Sequence, residues 1–152
     1  SPKPAVVVIK AVGEPRTHTL VFGDNMATYA KALGAIGVLT DGGVRDLEGI
    51  RELGGFHLFA PGTVVSHGVG ATPGIQEVGV PVTINGMTVN PGDIIHADRH
   101  GAVVIPLDAV KALPAAIDLL TRREAVILEA ARATDFDINK LKQATANAVE
   151  IH

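Results

Sequence analysis

Two short segments of the chain carry residue types that could do chemistry. Gly23-Asp24 lies in "VFGDNM" and Arg45-Asp46 in "TDGGVRDLEG", and each pair follows an apolar run and opens a helix-like segment. If their strands are neighbours in one sheet, two carboxylates and a guanidinium surround two helix N-termini, whose free N–H groups favour an anionic ligand. Hard carboxylate oxygens suit Mg²⁺ or Mn²⁺, and Mg²⁺ often takes only one or two protein carboxylates with water completing its shell. Arg45 offers a planar fork for a substrate carboxylate. Together these groups would bind a small 2-oxo acid, the metal polarising its keto oxygen. A plainer account stands beside this one: Asp at a helix start is usually a cap, and an Arg–Asp neighbour pair is usually a solvated turn.

The remaining polar residues point less clearly to chemistry. His96, Asp98 and His100 in "HADRHG" superficially resemble a metal cluster, but a strand followed by a tight turn makes a surface hairpin the better account. His67 lies in a Gly-rich stretch within reach of a ligand, while His18, His57 and His152 show no partner; none is assigned as a ligand. Ser66 in "VSHGVG" does not sit in a nucleophile-elbow pattern. The glycines of "GVGATPG" lack the strand-to-helix spacing of a phosphate loop. Glu124 and Glu129, spaced among Arg122, Arg123 and Arg132, read as a solvated helical face.

The elements that must position these residues follow from apolar runs and their punctuation. Residues 6–12 are a continuous apolar run and predict a buried strand, and 18–22 predict a second. Asp24 is a good N-cap for a helix to residue 33, with Gly34 at the C′ position. Residues 36–39 return as a strand, so strand, helix and strand suggest a parallel crossover whose carboxyl end holds the Arg-Asp pair. A short helix over 46–53, closed by Gly54-Gly55, precedes a strand at 56–60 and a Gly/Pro-rich loop at 61–74. Asn85-Gly86 marks a hairpin between 78–84 and 87–89, and "DRHG" joins strands at 94–97 and 102–105. Helical character begins at Asp108, is offset by Pro114 and runs to about residue 134; a final amphipathic helix covers 135–149. The expected class is α/β, many short strands followed by two C-terminal helices.

Composition narrows the function. The 152 residues are 47% apolar and only 3% aromatic, so Val, Ile, Leu and Ala must build the core. With no Trp, one Tyr and net charge −3, the chain lacks both stacking platforms and a basic footprint, which argues against nucleic acid. The absence of cysteine removes disulfides, thiolate metal sites and a Cys nucleophile. No apolar run approaches the roughly 18 residues of a membrane span, and the N-terminus lacks the pattern of a signal peptide. No membrane association and a cytoplasmic location are the corresponding expectations.

The stretch "GDNMATYAKALGAIGVLTDGGVRDLEGI", followed by "VPVTINGMTVNPGDIIHADRHGAVVIP", resembles the two signature blocks of the RraA-like family. That family includes regulator of ribonuclease activity A and the 4-hydroxy-4-methyl-2-oxoglutarate / 4-carboxy-4-hydroxy-2-oxoadipate aldolases. The resemblance covers roughly residues 5–132. It implies a swivelling β/β/α domain with C-terminal helices, assembled as a homotrimer or a hexamer made of two trimers. It also implies a single domain over 1–152, with family members carrying a further segment ahead of the first residue here. In the aldolase branch the Asp of the "RD" pair is the direct protein ligand to Mg²⁺ or Mn²⁺, which maps to Asp46. The preceding Arg, here Arg45, contacts the pyruvate portion and takes part in proton transfer. The acid of the "GD" loop, which supports metal-bound water, maps to Asp24, and the amides of Gly23, Asp24, Asn25 and Met26 would hold the substrate carboxylate. This chain departs from the family in placing Asn25-Met26 where Leu is more frequent. A neighbouring subunit's C-terminal region would contribute a further glutamate, for which Glu124 and Glu129 are the candidates.

The implied reaction is class II retro-aldol cleavage to pyruvate, with oxaloacetate decarboxylation as a relative because it passes through the same enolate. The alternative is a non-enzymatic, protein-binding regulator. The ribonuclease regulator lacks the acid after this Arg, whereas this chain keeps "VRD", which favours the aldolase-like branch. A third possibility, a domain of a larger catabolic enzyme with another reaction, rests only on the missing leading segment.

Overall fold

A computed structural model describes residues 3–13, 15–66 and 74–152. Its contacts divide the chain into two compact units, residues 1–105 and 106–152. His67 and most of the Gly-rich "GVGATPG" stretch lie outside the described residues.

The first unit is built on strands β1 (Ala5–Ile9), β3 (Ala35–Thr40) and β5 (His57–Phe59), joined in parallel in the order β1-β3-β5. The run expected over 6–12 ends as a strand at Ile9, and its pattern is half-buried because β1 lies at the edge of this sheet. Val38 at the sheet centre is fully buried. Gly37 lets β3 and β5 come together: a Cβ there would lie 2.5 Å from the His57 carbonyl oxygen.

The crossover differs from the sequence expectation. Strand β2 (Leu20–Phe22) does not pair with β3. It pairs in parallel with β4 (Gly43–Val44), with Leu20 opposite Gly43 and Phe22 opposite Val44. The chain leaves β3 through a turn in which the Thr40 hydroxyl accepts the Gly42 N–H at 3.0 Å, so two further residues form a separate ladder. Helix α1 (Asp24–Ala32) follows β2, and α2 (Leu47–Glu52) follows β4. Phe22, Ala27, Val38, Val44, Ile50 and Phe56 bury one core beneath both helices, with the Phe22 and Phe56 rings stacked at 6.1 Å. Gly34 takes a left-handed φ of 95° just beyond α1, as its C′ placement requires.

Two hairpins complete this unit. β6 (Val82–Ile84) and β7 (Met87–Val89) turn through Asn85 and Gly86, both at positive φ, the geometry that favours Asn-Gly in two-residue hairpins. β8 (Ile94–Asp98) and β9 (Gly101–Ile105) form the second, which bears out the surface-hairpin reading of "HADRHG".

The second unit contains α3 (Leu113–Ala131) and α4 (Ile138–Val149). Helix α3 begins later than Asp108 because Pro114 is accommodated only in a first turn, where its missing N–H costs nothing. Asp137 caps α4 by accepting the Lys140 N–H at 2.8 Å. Arg122 and Arg123 donate to the carbonyls of Val149, the last residue of α4, and of Ile151 and His152 just beyond it.

Candidate functional site

The β2–β4 pairing brings the two sequence-singled segments together. Arg45 N–H donates to the Phe22 carbonyl at 3.1 Å, so the chain enters Arg45-Asp46 directly beside the exit from β2 into Gly23-Asp24. On its other side β4 is held by 62–64: Val44 N–H donates to Gly62 at 3.2 Å, and Val64 N–H to Val44 at 2.8 Å. The Arg45-Asp46 backbone is thus fastened from both flanks.

Asp46 is the N-cap of α2 by position and not by bonding. Its backbone carbonyl accepts from Ile50 at 3.0 Å, but its side chain makes no capping hydrogen bond. It lies at φ 59°, ψ 42°, a left-handed conformation uncommon for a residue with a Cβ. The Asp46 carboxylate instead accepts from Arg45 Nε at 3.1 Å and lies over Gly23, where an added Cβ would approach Oδ2 to 2.8 Å. Arg45 and Asp46 side chains are 30% and 37% exposed, so the pair is open to a ligand. This geometry removes the capping account of Asp46.

Asp24 also departs from the cap expected of it. Gly23 is the N-cap of α1 and Asp24 is the first helical residue. Its carboxylate accepts the Asn25 N–H at 2.6 Å and rests against α2, where a Cβ on Gly49 would be 3.3 Å from Oδ2. Gly23 accepts from Ala27 through its carbonyl. The first-turn N–H groups of Asp24 and Met26 are left without an intrahelical acceptor, as helix geometry dictates. Met26 is 40% exposed beside them. All six sequence-selected residues, Gly23, Asp24, Asn25, Met26, Arg45 and Asp46, therefore lie at the adjoining starts of α1 and α2. Glu124 and Glu129 belong to the second unit.

Among the described residues, no group of three or more His, Cys, Asp or Glu side chains could hold a metal ion. Mg²⁺ often takes only one or two protein carboxylates, with water completing its shell. The donor set fits that mode: hard oxygens on a half-open surface, with the Asp46 carboxylate withheld from capping and in contact with Arg45.

A supporting residue escaped the sequence analysis. Asp41 is 3% exposed and accepts from Ala11 N–H at 2.7 Å and Arg16 at 3.3 Å, tying the end of β1 to the turn that feeds β4. An acid between a buried strand and two glycines was the available signal. Asp41→Ala would strand the buried Ala11 N–H and is expected to cost about 1–3 kcal/mol in urea unfolding. Asp41→Asn retains an acceptor and should cost less, since Arg16 is half-exposed and its ion pair screened. Equal losses in the two variants would assign the effect to charge instead.

Comparison with known proteins gives this geometry its context. The RraA-like (Aldolase/RraA) family model matches residues 1–104. The chain belongs to the RraA-like family. A Halalkalibacterium halodurans protein, named provisionally as a 4-hydroxy-4-methyl-2-oxoglutarate aldolase, is 35% identical over 101 residues, 66% of this chain and 46% of that protein. The crystal structure of an uncharacterised protein from Pseudomonas syringae pv. tomato superposes with TM-score 0.74 at 28% identity, covering 97% of this chain and 65% of that one. Streptomyces coelicolor RraAS2, described as an unusual member of the RNase ES inhibitor RraA family, gives TM-score 0.60 at 32% identity over 74% of this chain and 56% of that one. The chain spans from 17% to 49% of the length of the curated relatives it matches. The RraA-like fold, mixed α/β with C-terminal helices, agrees with the class expected from sequence. The family thus holds both proteins named as aldolases and ribonuclease inhibitors. Among the described residues, no helix is long and apolar enough to cross a membrane.

Proposed function

We propose that the crevice at the starts of α1 and α2 is a divalent-metal-dependent carbon–carbon lyase site that cleaves a small 4-hydroxy-2-oxo acid to pyruvate. The observation that carries this reading is Asp46: a helix-start carboxylate, in a left-handed backbone, that caps nothing and lies against Gly23 beside Arg45. Asp46 would hold Mg²⁺ or Mn²⁺, and the bound ion would supply a Lewis acid for the 2-oxo group. The Arg45 guanidinium would donate to the oxygens of the pyruvate portion, favouring the enolate as the carbon–carbon bond breaks. The first-turn amides of α1 are donors for the substrate carboxylate. Asp24 supplies a second carboxylate in the crevice, able to accept the proton lost from the 4-hydroxyl group. Oxaloacetate, whose decarboxylation develops the same enolate, is the second substrate of this reading. A trimeric or hexameric assembly, in which a neighbour's Glu124 or Glu129 completes the site, belongs to the same proposal.

The similarity to RraAS2 supports one competing reading, a regulator that works by binding protein. The two separate in an assay of pyruvate release from 4-hydroxy-4-methyl-2-oxoglutarate and from oxaloacetate, with Mg²⁺, with Mn²⁺ and with EDTA. Release that needs the metal and stops with EDTA is the expected result. Folded protein that releases no pyruvate under any of these conditions would favour the regulator.

A further inference from the structure

A cavity of about 540 Å³ opens elsewhere in the first unit, at the carboxyl ends of β3 and β5. Its lining includes Thr40, Phe59 and Pro61 but none of Gly23, Asp24, Arg45 or Asp46. Carboxyl ends of adjacent parallel strands are where crevices form in open α/β sheets. Here the turns of the two hairpins wall the opening, bringing Asn85 from one and the Asp98–Gly101 tip from the other.

The walls and the rim differ in character. Leu39, Leu58, Phe59, Ile84 and Met87 supply an apolar floor. At the rim, Asp98 accepts the His100 N–H at 2.7 Å and pairs with His100 Nδ1 at 3.2 Å. Both contacts favour the ionised carboxylate, and they hold it below the usual range, the backbone bond first. They also brace the tip on both sides of Arg99. Among the described residues, Asp98 is the only acid in the lining, and it is already engaged by His100. Arg99 lines the cavity and, among the described residues, makes no ion pair or hydrogen bond. A guanidinium left unmatched above an apolar floor, with the Asn85 amide on the same rim, is a receptor for a planar anion with a hydrocarbon tail.

The geometry points to this cavity as a second binding site, for a small organic carboxylate bearing a short apolar chain, with Arg99 holding the carboxylate and the floor the chain. The site is independent of the lyase reading, because it uses neither the metal-site residues nor their chemistry. Phosphate is compact and has no chain to bury, so it should bind far less well.

The test is a ¹H–¹⁵N correlation titration of the 152-residue chain with sodium hexanoate, sodium acetate and inorganic phosphate. Hexanoate is expected to saturate and to shift the amides of Phe59, Asn85 and Asp98 to Gly101, acetate to bind more weakly, and phosphate not to saturate. Arg99→Ala should weaken hexanoate by on the order of tenfold with the rest of its spectrum unchanged, and Asp46→Asn should bind it as the parent does. Overturning results are the absence of saturable shifts, shifts confined to residues 23–26 and 45–46, phosphate binding as tight as hexanoate, or hexanoate affinity unmoved by Arg99→Ala or lowered by Asp46→Asn.

Discussion

Asp46→Asn is expected to lower metal-dependent pyruvate release by about a thousandfold or more, while unfolding stability stays within about 1 kcal/mol of the parent. Asn is the informative replacement because it tolerates the left-handed backbone at φ 59° nearly as well as Asp. The side chain does not cap α2, so the helix loses no hydrogen bond from it. What disappears is one charge and its half-exposed contact with Arg45, and exposed pairs of this kind contribute little to stability. Mn²⁺ titration should show the matching loss of affinity. Parent-like turnover in a folded Asp46→Asn protein would remove Asp46 from the chemistry and, with it, the lyase reading. A loss of several kcal/mol in stability would show that Asp46 holds the fold instead.

The elements that sequence located well are those fixed locally. Asn85-Gly86 must adopt positive φ in a two-residue hairpin, and both do. Gly34 ends α1 and Gly54 follows α2, each in a left-handed conformation, for the same local reason. The sequence also located Gly23-Asp24 and Arg45-Asp46, because a strand exit, a helix start and a charge at one junction are legible in residue order. How the segments meet was not legible. β4 is two residues long, Gly43 and Val44, too short for any periodicity, and its partners in β2, Leu20 and Phe22, lie far back in the chain, before the whole of α1 and β3. The expected adjacency of the strands before the two segments was therefore placed in the wrong ladder, although the starts of α1 and α2 do adjoin.

Side-chain roles needed the backbone as well. By residue type alone Asp24 and Asp46 both read as caps, and neither caps: Gly23 occupies the cap position of α1, and Asp46 turns its carboxylate to Arg45. Backbone angles separate a capping Asp from a withheld one, and residue order does not contain them. Asp41 shows the same limit from the other side. Its burial follows from contacts with Ala11 and Arg16, residues 30 and 25 positions away.

Gly23 links the fold to the chemistry, and Gly23→Ala is expected to separate the two. Its backbone, φ −144° and ψ −173°, is extended and open to any residue, so conformation does not demand glycine there. Space does: an added Cβ would lie 2.8 Å from Asp46 Oδ2 and 3.5 Å from Arg45 Cγ and Nε. The obstructed atoms belong to side chains that can swing outward, so stability should change by less than about 1 kcal/mol. The same swing moves both the carboxylate and the guanidinium away from their places over α1. A displacement on the order of 1 Å in positioned groups costs roughly 100-fold in turnover, which is the loss expected here. Because the substitution acts through Asp46, its effect should shrink when Asp46 is already Asn. Full additivity of the two changes, or unaltered turnover and Mn²⁺ affinity in Gly23→Ala, would mean that the close approach of Gly23 to Asp46 serves packing and not catalysis.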